Sequence, residues 1–469
     1  MNNEKINNVF DLQSNNISNI RSTSAKERIQ KIELIVDWIY SNKNLIKDSL
    51  VSDLSKPELE TNITEIWVTI DLAKDVVRNL KRWMRRKRVP NSLSVLFSKS
   101  YIEYYSKGTC LVIAPWNYPF QLCIVPLIYS IASGNCTIIK PSEITPSTSK
   151  LVYQMIDELF NENEIAVVEG GKDEAKLLLE KPFNHIFFTG SDKVGEKVVE
   201  ASSKHLSTFT LELGGKSPVF VDKGYNLDKV VNRLMAAKFV NLGQSCIAPD
   251  YLIIHEDDYE LFINKFKDKI DSAYGSDISE KLSSDSLARI VNDVHFDRLA
   301  SIVDSNSDSI VFGGEVDRES RFISPTVLDG SKLGEDLSCS EIFGPILPVF
   351  RYSGEVDFNK YIYDTGNPLG VYIFSNSKTF INNIKNQTSS GAVCVNDIAV
   401  QFLNHNLPFG GVMRSGTGRY HGYSGFKEFS NQRSIIYQSK INFLSVISPP
   451  YTSKIKKIVE FLLTIYKKI

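Results

Sequence analysis

The sequence predicts an α/β protein in which a doubly wound parallel sheet is followed by a second α/β domain with its own sheet. Between residues 109 and 212, five short apolar strands are separated by helical stretches. Strands that are apolar throughout and joined by helices are typical of a parallel sheet covered on both faces. A similar alternation of apolar strands and helical stretches between residues 218 and 374 predicts the second sheet.

The elements follow from the spacing of apolar residues and from the turns between them. The expected strands of the first sheet are 111–114, 137–140, 166–169, 186–189 and 208–212, with helices at 120–132, 146–160, 172–180 and 193–203. The second sheet should contain strands 218–222, 251–255, 346–350 and 370–374, with helices at 227–241 and 257–273. Residues 25–88 should form amphipathic helices, and 392–396 and 434–438 should be extended.

Composition excludes several classes of protein. The 469 residues are 42% hydrophobic and 23% charged, with a net charge of −1, so neither a disordered chain nor a nucleic-acid footprint is expected. The polar, Asn-rich start does not resemble a secretory signal, and no apolar stretch is long enough to span a bilayer. Six cysteines without a C-x-x-C pair predict neither a disulfide scaffold nor a metal site. We expect a cytoplasmic protein.

The basic run 85–88 is the one local feature that could suggest nucleic-acid binding. It is short, lacks interleaved aromatic residues and follows an apolar helical pattern. Cations at the end of a helix are stabilised by the helix dipole. We therefore interpret this run as a solvated helix end and expect no nucleic-acid partner.

Polar residues follow three strands of the first predicted sheet. The strand at 186–189 runs into Gly190, Ser191 and Gly195 before a helix, an arrangement that presents free N–H groups to phosphate. Taken alone, this spacing is equally compatible with a tight packing turn. Lys140 and Glu143 follow the second strand, and a rigid proline-flanked turn follows the first. Because ligands bind at the carboxyl ends of such strands, the three clusters together predict a dinucleotide site.

Two side chains are candidates for chemistry. Cys246 lies in a glycine-containing turn, 241–249, after a predicted helix, which is where an accessible thiol would be placed. Glu212 ends an apolar strand and precedes two glycines, so its carboxylate should be desolvated and suited to act as a base. Locally, a structural thiol and a surface carboxylate remain alternatives. The other cysteines look like small core residues: Cys110, Cys123, Cys136, Cys339 and Cys394.

Several strings in fixed order resemble the aldehyde dehydrogenase superfamily over roughly residues 25–440. The strings are Ala-Pro-Trp-Asn-Tyr-Pro (114–119), Lys-Pro-Ser-Glu (140–143), Phe-Thr-Gly-Ser…Gly (188–195), Leu-Glu-Leu-Gly-Gly-Lys-Ser-Pro (211–218), Gly-Gln-Ser-Cys (243–246) and Glu-Ile-Phe-Gly-Pro (341–345). Three features are similar to the class 3, fatty-aldehyde branch: the short N-terminal part, Ala-Pro-Asp-Tyr (248–251) after the cysteine, and Pro-Phe-Gly-Gly…Arg-Tyr-His-Gly (408–422).

The resemblance implies NAD(P)-dependent oxidation of an aldehyde to a carboxylic acid. Cys246, as a thiolate, would attack the aldehyde to give a thiohemiacetal, while Asn117 and the Cys246 N–H stabilise the oxyanion. Loss of hydride to the nicotinamide would leave a thioester, which water activated by Glu212 would hydrolyse. The implied cofactor-binding residues are Ile113, Ala114, Pro115, Trp116, Lys140, Ser142, Glu143, Gly190, Ser191, Gly195, Leu213, Glu341 and Phe343.

The resemblance also implies a division of the chain and a homodimer. The expected parts are an NAD(P)-binding domain (1–88 and 107–211), a catalytic domain (212–391), oligomerisation segments (89–106 and 392–440) and a C-terminal tail (441–469). NAD is the expected cofactor, with NADP tolerated, because Glu143 would repel a 2′-phosphate while Lys140 offsets the repulsion. Two departures from the family pattern are Ser245 beside the cysteine and Met413 in a late glycine-rich loop.

Other functions remain to be weighed against this one. A CoA-acylating relative would transfer the acyl group to a thiol and generally lacks a base such as Glu212. A catalytically silent relative should have lost the cysteine, the glutamate or the asparagine, and all three are present. A cysteine hydrolase would need a remote histidine such as His405 or His421.

The tail, 451–469, has apolar residues at helical spacing with lysines near both ends. This pattern predicts an amphipathic helix that either docks on its own subunit or dimer partner, or makes weak peripheral contact with a membrane.

Overall fold

The structure is a computed structural model that describes residues 3–92, 95–333, 340–354, 366–440 and 449–467. Its strands in chain order are β1 (Lys87–Val89), β2 (Lys99–Ser106), β3 (Thr109–Ile113), β4 (Cys136–Lys140), β5 (Ile165–Val167), β6 (His185–Thr189), β7 (Thr208–Glu212), β8 (Pro218–Val221), β9 (Tyr251–His255), β10 (Ile310–Phe312), β11 (Val316–Asp317), β12 (Phe322–Ile323), β13 (Thr326–Asp329), β14 (Ile346–Tyr352), β15 (Gly370–Phe374), β16 (Ala392–Val395), β17 (Gly416–Thr417) and β18 (Ser430–Tyr437).

The α-helices surround these strands. In chain order they are α1 (Asn3–Arg21), α2 (Ala25–Ser41), α3 (Lys43–Leu54), α4 (Glu58–Thr61), α5 (Val68–Trp83), α6 (Gln121–Ser133), α7 (Pro146–Leu159), α8 (Lys172–Leu179), α9 (Asp192–His205), α10 (Leu227–Lys238), α11 (Glu256–Tyr274), α12 (Ile278–Ser283), α13 (Asp293–Ser305), α14 (Lys378–Gln387), α15 (Gly422–Glu428) and α16 (Ser453–Tyr466). A π-helical stretch, Asn62–Trp67, joins α4 to α5.

The first predicted sheet is confirmed as a six-stranded sheet with the order β17-β7-β6-β3-β4-β5. Strands β3 to β7 pair in parallel, and only the short β17 is antiparallel. The five parallel strands match the five expected from the sequence to within a few residues. Their carboxyl ends therefore meet at one edge, as the prediction of a dinucleotide site requires.

The second predicted sheet is also confirmed, with seven strands in the order β10-β13-β14-β9-β8-β15-β16. All of its pairs are parallel except β10 with β13. The sequence analysis did not identify β10 and β13, because both are short and lie between loops. The α/β fold class is correct.

The N-terminal segment is a helix, which the polar composition did not reveal. Helix α1 buries Ile6, Val9 and Phe10 in an apolar cluster with residues of the first sheet. The Gln13 amide, itself fully buried, donates a hydrogen bond of 3.1 Å to the Thr137 carbonyl oxygen on β4. The many asparagines lie mostly on the exposed face, so the segment belongs to the folded protein.

The interpretation of the basic run as a helix end is wrong in part. Helix α5 ends at Trp83, and Lys87–Val89 forms β1, which pairs with β2. With β18 these strands make a separate three-stranded sheet. The Arg86 guanidinium lies over the Tyr101 ring at 4.5 Å, so stacking and strand pairing, not a helix dipole, fix this segment. Its side chains are exposed, as expected.

The tail forms the predicted helix, α16, and leaves much of its apolar surface exposed. Phe461 and Leu463 are each 65% exposed. Docking on the same subunit therefore does not bury the apolar face in this structure. No helix among the described residues is both long and apolar enough to cross a membrane.

Candidate active site

The loop that carries Cys246 follows α10 and has an unusual backbone conformation. The predicted helix 227–241 ends earlier, at Lys238. Residues 241–243 all have positive φ, between 51° and 75°. A run of left-handed residues cannot continue a right-handed helix, so the chain turns away from the axis of α10 just before Cys246. Apolar periodicity continued past the true helix end, which is why the sequence prediction was too long.

Gln244 fastens this loop to a distant segment. Its amide nitrogen donates to the carbonyl oxygens of Asn241 and Arg289, both at 3.0 Å. Its amide oxygen accepts a 3.0 Å hydrogen bond from the Val291 N–H. The side chain is fully buried. These three hydrogen bonds use most of the hydrogen-bonding capacity of the Gln244 side chain. Gln244 therefore holds the loop in place two residues before Cys246.

Asn117 joins the loop after β3 to the Cys246 loop. Its amide nitrogen donates to the Gln244 carbonyl oxygen at 3.2 Å, and its own carbonyl accepts from the Asn241 side chain at 2.8 Å. Two hydrogen bonds thus connect Asn117, in the loop after β3, to the loop that carries Cys246. The same loop is also bound to α4, because the Glu60 carboxylate accepts a hydrogen bond from the Asn241 N–H at 2.8 Å.

Glu212 lies at the end of β7 with its carboxylate almost completely buried. Among the described residues, neither carboxylate oxygen has a hydrogen-bond partner. Burial raises the pKa of Glu212 well above its usual range, Arg419 opposes the shift, and the Glu428 carboxylate adds to it. A buried, unsatisfied carboxylate is costly and is characteristic of functional sites. The sequence prediction of a desolvated carboxylate is confirmed.

Cys246 is partly exposed in its turn, unlike the buried Cys110, Cys123, Cys136 and Cys394. Desolvation raises the pKa of the Cys246 thiol to about 12, and the nearby carboxylates of Glu341 and Glu212 contribute to this shift. The raised pKa favours the protonated thiol, so the thiolate expected as the attacking form must arise by loss of this proton as the reaction begins. Cys339 lies outside the described residues.

The carboxyl ends of β3 and β4 hold several of the predicted cofactor-binding residues. Lys140 is buried, and its ammonium group pairs with the Glu143 carboxylate at 2.6 Å. The Ala114 N–H donates to the Lys140 carbonyl at 3.0 Å, which fixes the start of the next loop. Ser142 is buried beside them and accepts the Ile144 N–H at 3.3 Å. Ile113 ends β3, and Pro115 and Trp116 follow Ala114 in the loop.

The predicted phosphate turn lies between β6 and α9, as expected. Ser191 is the N-cap residue of α9, and its side chain makes no capping hydrogen bond within the described structure. Gly195 faces Leu213 so closely that an added Cβ would lie 3.0 Å from a Leu213 methyl carbon. Gly195 therefore serves the close packing of this turn. The Lys193 N–H donates to the Asp192 carboxylate at 2.7 Å, so a phosphate would have to bind the remaining N–H groups of the helix N-terminus.

Glu341 and Phe343 are held by a buried ion pair between Lys216 and Asp250. The Ile342 N–H donates to Asp250 at 2.8 Å, and Lys216 donates to the Ser340 carbonyl at 3.0 Å. Burial raises the pKa of Glu341 to about 8, with Asp250 contributing. The Phe343 ring contacts Trp116 edge to face, with centroids 5.3 Å apart. This contact connects the two predicted cofactor segments.

The sequence analysis missed Gln244, Lys216 and Asp250 as structural supports of the site. Gln244 and Lys216 were inside quoted strings, but no local signal shows which distant groups they contact. Neither histidine considered for a cysteine hydrolase is shown paired with Cys246: His405 pairs with Asp71 at 3.0 Å, and His421 stacks on Phe409.

A partly exposed thiol, a buried carboxylate and a doubly wound parallel sheet are together typical of an α/β enzyme that binds a nucleotide cofactor. The family model described as Aldehyde dehydrogenase family matches residues 1–435. The chain belongs to the aldehyde dehydrogenase family, whose reaction is the oxidation of aldehydes to acids.

Curated relatives place the chain near the class 3 branch. It is 40% identical to 4,4′-diaponeurosporen-aldehyde dehydrogenase of Staphylococcus aureus, over 93% of this chain and 94% of that protein. It is 37% identical to human aldehyde dehydrogenase family 3 member B1, over 89% of this chain and 88% of that protein.

Solved structures confirm the fold. The substrate-bound AldH of Staphylococcus aureus superposes with a TM-score of 0.92 at 38% identity, covering 97% of this chain and 99% of that one. Two aldehyde dehydrogenases at 21% identity share the fold, with 94% of this chain covered in each case. The Mycobacterium tuberculosis enzyme, complexed with NAD+, has a TM-score of 0.84 over 91% of its chain. The succinic semialdehyde dehydrogenase of Streptococcus pyogenes, complexed with NADP+, has a TM-score of 0.83 over 96%.

Proposed function

We propose that Cys246 is the nucleophile of an NAD(P)-dependent aldehyde oxidation, that Glu212 is the base for thioester hydrolysis and that Asn117 stabilises the oxyanion. The observation that supports this most is the pair of hydrogen bonds between Asn117 and the Cys246 loop. They join two segments more than a hundred residues apart. Glu212 lies close enough for its charge to raise the pKa of the Cys246 thiol.

The first step is attack of the Cys246 sulfur on the aldehyde carbon. Since the raised pKa favours the protonated thiol, its proton must leave as the sulfur attacks. Glu212 is kept for the hydrolysis step, so this proton passes to solvent water, which the partly exposed thiol can reach. The Asn117 amide uses one hydrogen for the Gln244 carbonyl, and an amide has two. The second hydrogen and the Cys246 N–H are available to the developing oxyanion.

The second half of the reaction releases the acid. Water attacks the thioester carbon and transfers a proton to Glu212, the C–S bond breaks, and Cys246 leaves as a thiolate that recovers a proton. The unpartnered carboxylate oxygens of Glu212 have free lone pairs for this water. A base with a raised pKa is well matched to this proton transfer near neutral pH.

The residues at the strand ends fit a nicotinamide dinucleotide. Lys140 and Glu143 would hold the adenosine ribose, the α9 N-terminus with Gly190 and Ser191 would hold the pyrophosphate, and Glu341 with Phe343 would hold the nicotinamide ribose. The nicotinamide, when bound, accepts the hydride. NAD is the preferred cofactor and NADP is tolerated, because the buried Lys140 partly neutralises Glu143. The NAD+ and NADP+ complexes of the two distant relatives support both alternatives.

We assign a long, apolar aldehyde as the substrate class. Cys246 packs against the apolar core together with the partly buried side chains of Trp116, Ile247 and Phe402. The Staphylococcus aureus relative is a 4,4′-diaponeurosporen-aldehyde dehydrogenase. Catalytic efficiency should rise with chain length across a panel of straight-chain aldehydes from two to sixteen carbons, measured as reduced cofactor formed. A maximum at two to four carbons would contradict the assignment.

The chain is proposed to divide into cofactor, catalytic and oligomerisation parts, with a homodimer as the functional form. The boundaries are those given above, except that residues 392–395 form β16 of the second sheet and so go with the catalytic part. The three-stranded sheet β1-β2-β18 supports this, because the two oligomerisation segments pair with each other in it. Exposed apolar residues of this sheet, such as Ile436 at 51%, are available to a second subunit. Sedimentation equilibrium should give twice the mass of the chain, whereas a monomer at micromolar concentration would contradict the dimer.

Weak peripheral membrane contact is proposed for α16. Phe461, Leu462 and Leu463 are exposed, and lysines flank the helix at residues 454, 456, 457 and 467. Each lysine near an anionic surface contributes about 1 kcal/mol. The protein should co-sediment with phosphatidylserine-containing vesicles at low salt but not at high salt. Deletion of 451–469 should abolish this binding; undiminished binding, or none by the full chain, would contradict the proposal.

A further inference from the structure

A row of polar side chains extends along one face of the first sheet toward Glu212. On β7, Thr208, Thr210 and Glu212 are two residues apart and therefore point to the same face. His185 on β6 is in register with Thr208. His185 and Thr210 are completely buried, which is an unusual place for polar groups that only support a fold.

Hydrogen bonds connect this row in one direction. Lys107 Nζ lies 3.1 Å from His185 Nδ1, His185 Nε2 lies 3.2 Å from Thr210 Oγ1, and the Thr210 hydroxyl donates to Glu428 Oε1 at 2.5 Å. An ammonium group can only donate, so His185 Nδ1 accepts and Nε2 carries the hydrogen. Burial and Lys107 lower the pKa of His185 well below its usual range, which agrees with a neutral ring. Every link therefore donates toward Glu428.

Glu428, the last residue of α15, is placed near Glu212. Gly418 contacts the Glu428 carboxylate, since a Cβ there would lie 2.7 Å from Glu428 Oε1. Gly410 contacts both Gly418 and Glu212 Oε1. Gly418 and Gly410 therefore form a chain of contacts from Glu428 to Glu212. The charged and titratable groups that interact with Glu212 are Arg419, Glu428, Cys246 and Tyr420.

We propose that Glu428 is a positioning residue that sets the protonation state of Glu212, and that the chain Lys107–His185–Thr210 holds its carboxylate in place. This inference rests on the proposed role of Glu212 as the hydrolytic base. Burial and Glu428 raise the pKa of Glu212, while Arg419 lowers it. Glu428 therefore offsets the effect of Arg419 on the pKa of Glu212. Without Glu428, the Glu212 carboxyl would lose its proton at lower pH.

The test is the pH dependence of thioester hydrolysis in single-turnover experiments with the full-length enzyme. Glu428→Gln keeps an acceptor for Thr210 but removes the charge. The acid limb of its profile should move to lower pH by about half a unit or more, a shift of the order that a neighbouring charge produces. Glu428→Asp keeps the charge and should restore the wild-type midpoint. Glu33→Gln, at an exposed carboxylate of α2, is the matched charge control and should not move it.

Lys107→Met removes the opposite end of the chain. Lys107 is only partly buried, so the variant should fold, and loss of a positive charge should move the acid limb slightly to higher pH. Opposite shifts in the two variants would not follow from a merely structural role. A Glu428→Gln midpoint that is unchanged or higher contradicts the inference. If Glu428→Gln does not fold, the Lys107→Met variant provides the test. A higher pH midpoint of its acid limb supports the inference, and an unchanged midpoint contradicts it.

Failure of the underlying function would look different. If Glu212→Gln left the acid limb of hydrolysis unchanged, Glu212 would not be the base, and the proposed function would be wrong. If Glu212→Gln removes that limb while Glu428→Gln leaves its midpoint in place, only the inference about Glu428 is wrong.

Discussion

The cofactor-side residues and the Cys246 loop are organised in different ways. After β4 the contacts are local: Lys140 pairs with Glu143, three residues away. The Cys246 loop depends on distant contacts, since Gln244 binds Val291, Asn117 binds Gln244 across 127 positions, and Glu60 binds Asn241 across 181. A local site can be recognised in a short string of sequence, whereas a site held by distant contacts cannot.

Replacement of the nucleophile should have the largest effect. Cys246→Ala should reduce NAD-linked oxidation to no more than a few per cent of wild type, because no other described cysteine is exposed in the site. Steady-state formation of reduced cofactor measures this. Cofactor binding, followed by protein fluorescence, should be unchanged, since the strand-end residues are untouched. Activity clearly above that level would identify another nucleophile.

Replacement of Gln244, which holds the Cys246 loop in place, should have the second largest effect. Gln244→Ala removes three hydrogen bonds and leaves buried groups unpaired, at a cost of about 2–3 kcal/mol in unfolding free energy. The kcat should fall at least about tenfold, because a small displacement of a nucleophile is costly. Urea unfolding and steady-state kinetics measure the two effects.

Ser142→Ala is the matched control, at a buried polar residue whose described hydrogen bond is local. It should change kcat less than twofold. Equal losses in the two variants would remove the contrast between locally and distantly supported parts of the site.

The cofactor side should respond to a local change of charge. Glu143→Gln removes the carboxylate that repels a 2′-phosphate while leaving Lys140 in place. The ratio of kcat/KM for NADP over NAD should rise about tenfold, equivalent to about 1.4 kcal/mol. Glu169→Gln, a partly exposed carboxylate after β5, serves as the charge control. A shift toward NAD would contradict the proposed position of Glu143.

The smallest effect expected is on stability. The pKa of Glu212 is raised by folding, so its contribution to stability is present at low pH and is lost as pH rises from the unfolded pKa through the folded one. Glu212→Gln removes this loss and should raise the melting temperature at pH 8 but not at pH 4. Each pKa unit corresponds to about 1.4 kcal/mol. Differential scanning calorimetry at pH 4 and pH 8 measures the difference in melting temperature between the variant and the wild type. Equal melting temperatures of the two proteins at pH 8 would contradict a buried carboxylate with a raised pKa.

Much of the fold could be predicted from the sequence, because the strands of both parallel sheets are continuous apolar runs. Helix α1 could not, since its buried residues are only a few among many asparagines. The strings around Cys246, Glu212 and Asn117 predicted the site residues. The raised pKa of the Cys246 thiol could not be predicted, because it depends on burial and on Glu341, nearly a hundred residues away.

The central proposal is that Cys246 and Glu212 divide the reaction between thioester formation and thioester hydrolysis. Rapid mixing of Glu212→Gln with aldehyde and NAD tests this most directly. We expect a burst of reduced cofactor of about one equivalent per active site, followed by a steady state much slower than wild type. A missing burst would contradict this division, because Glu212 would then be needed before or during the first half of the reaction. A wild-type steady-state rate would contradict its role as the base.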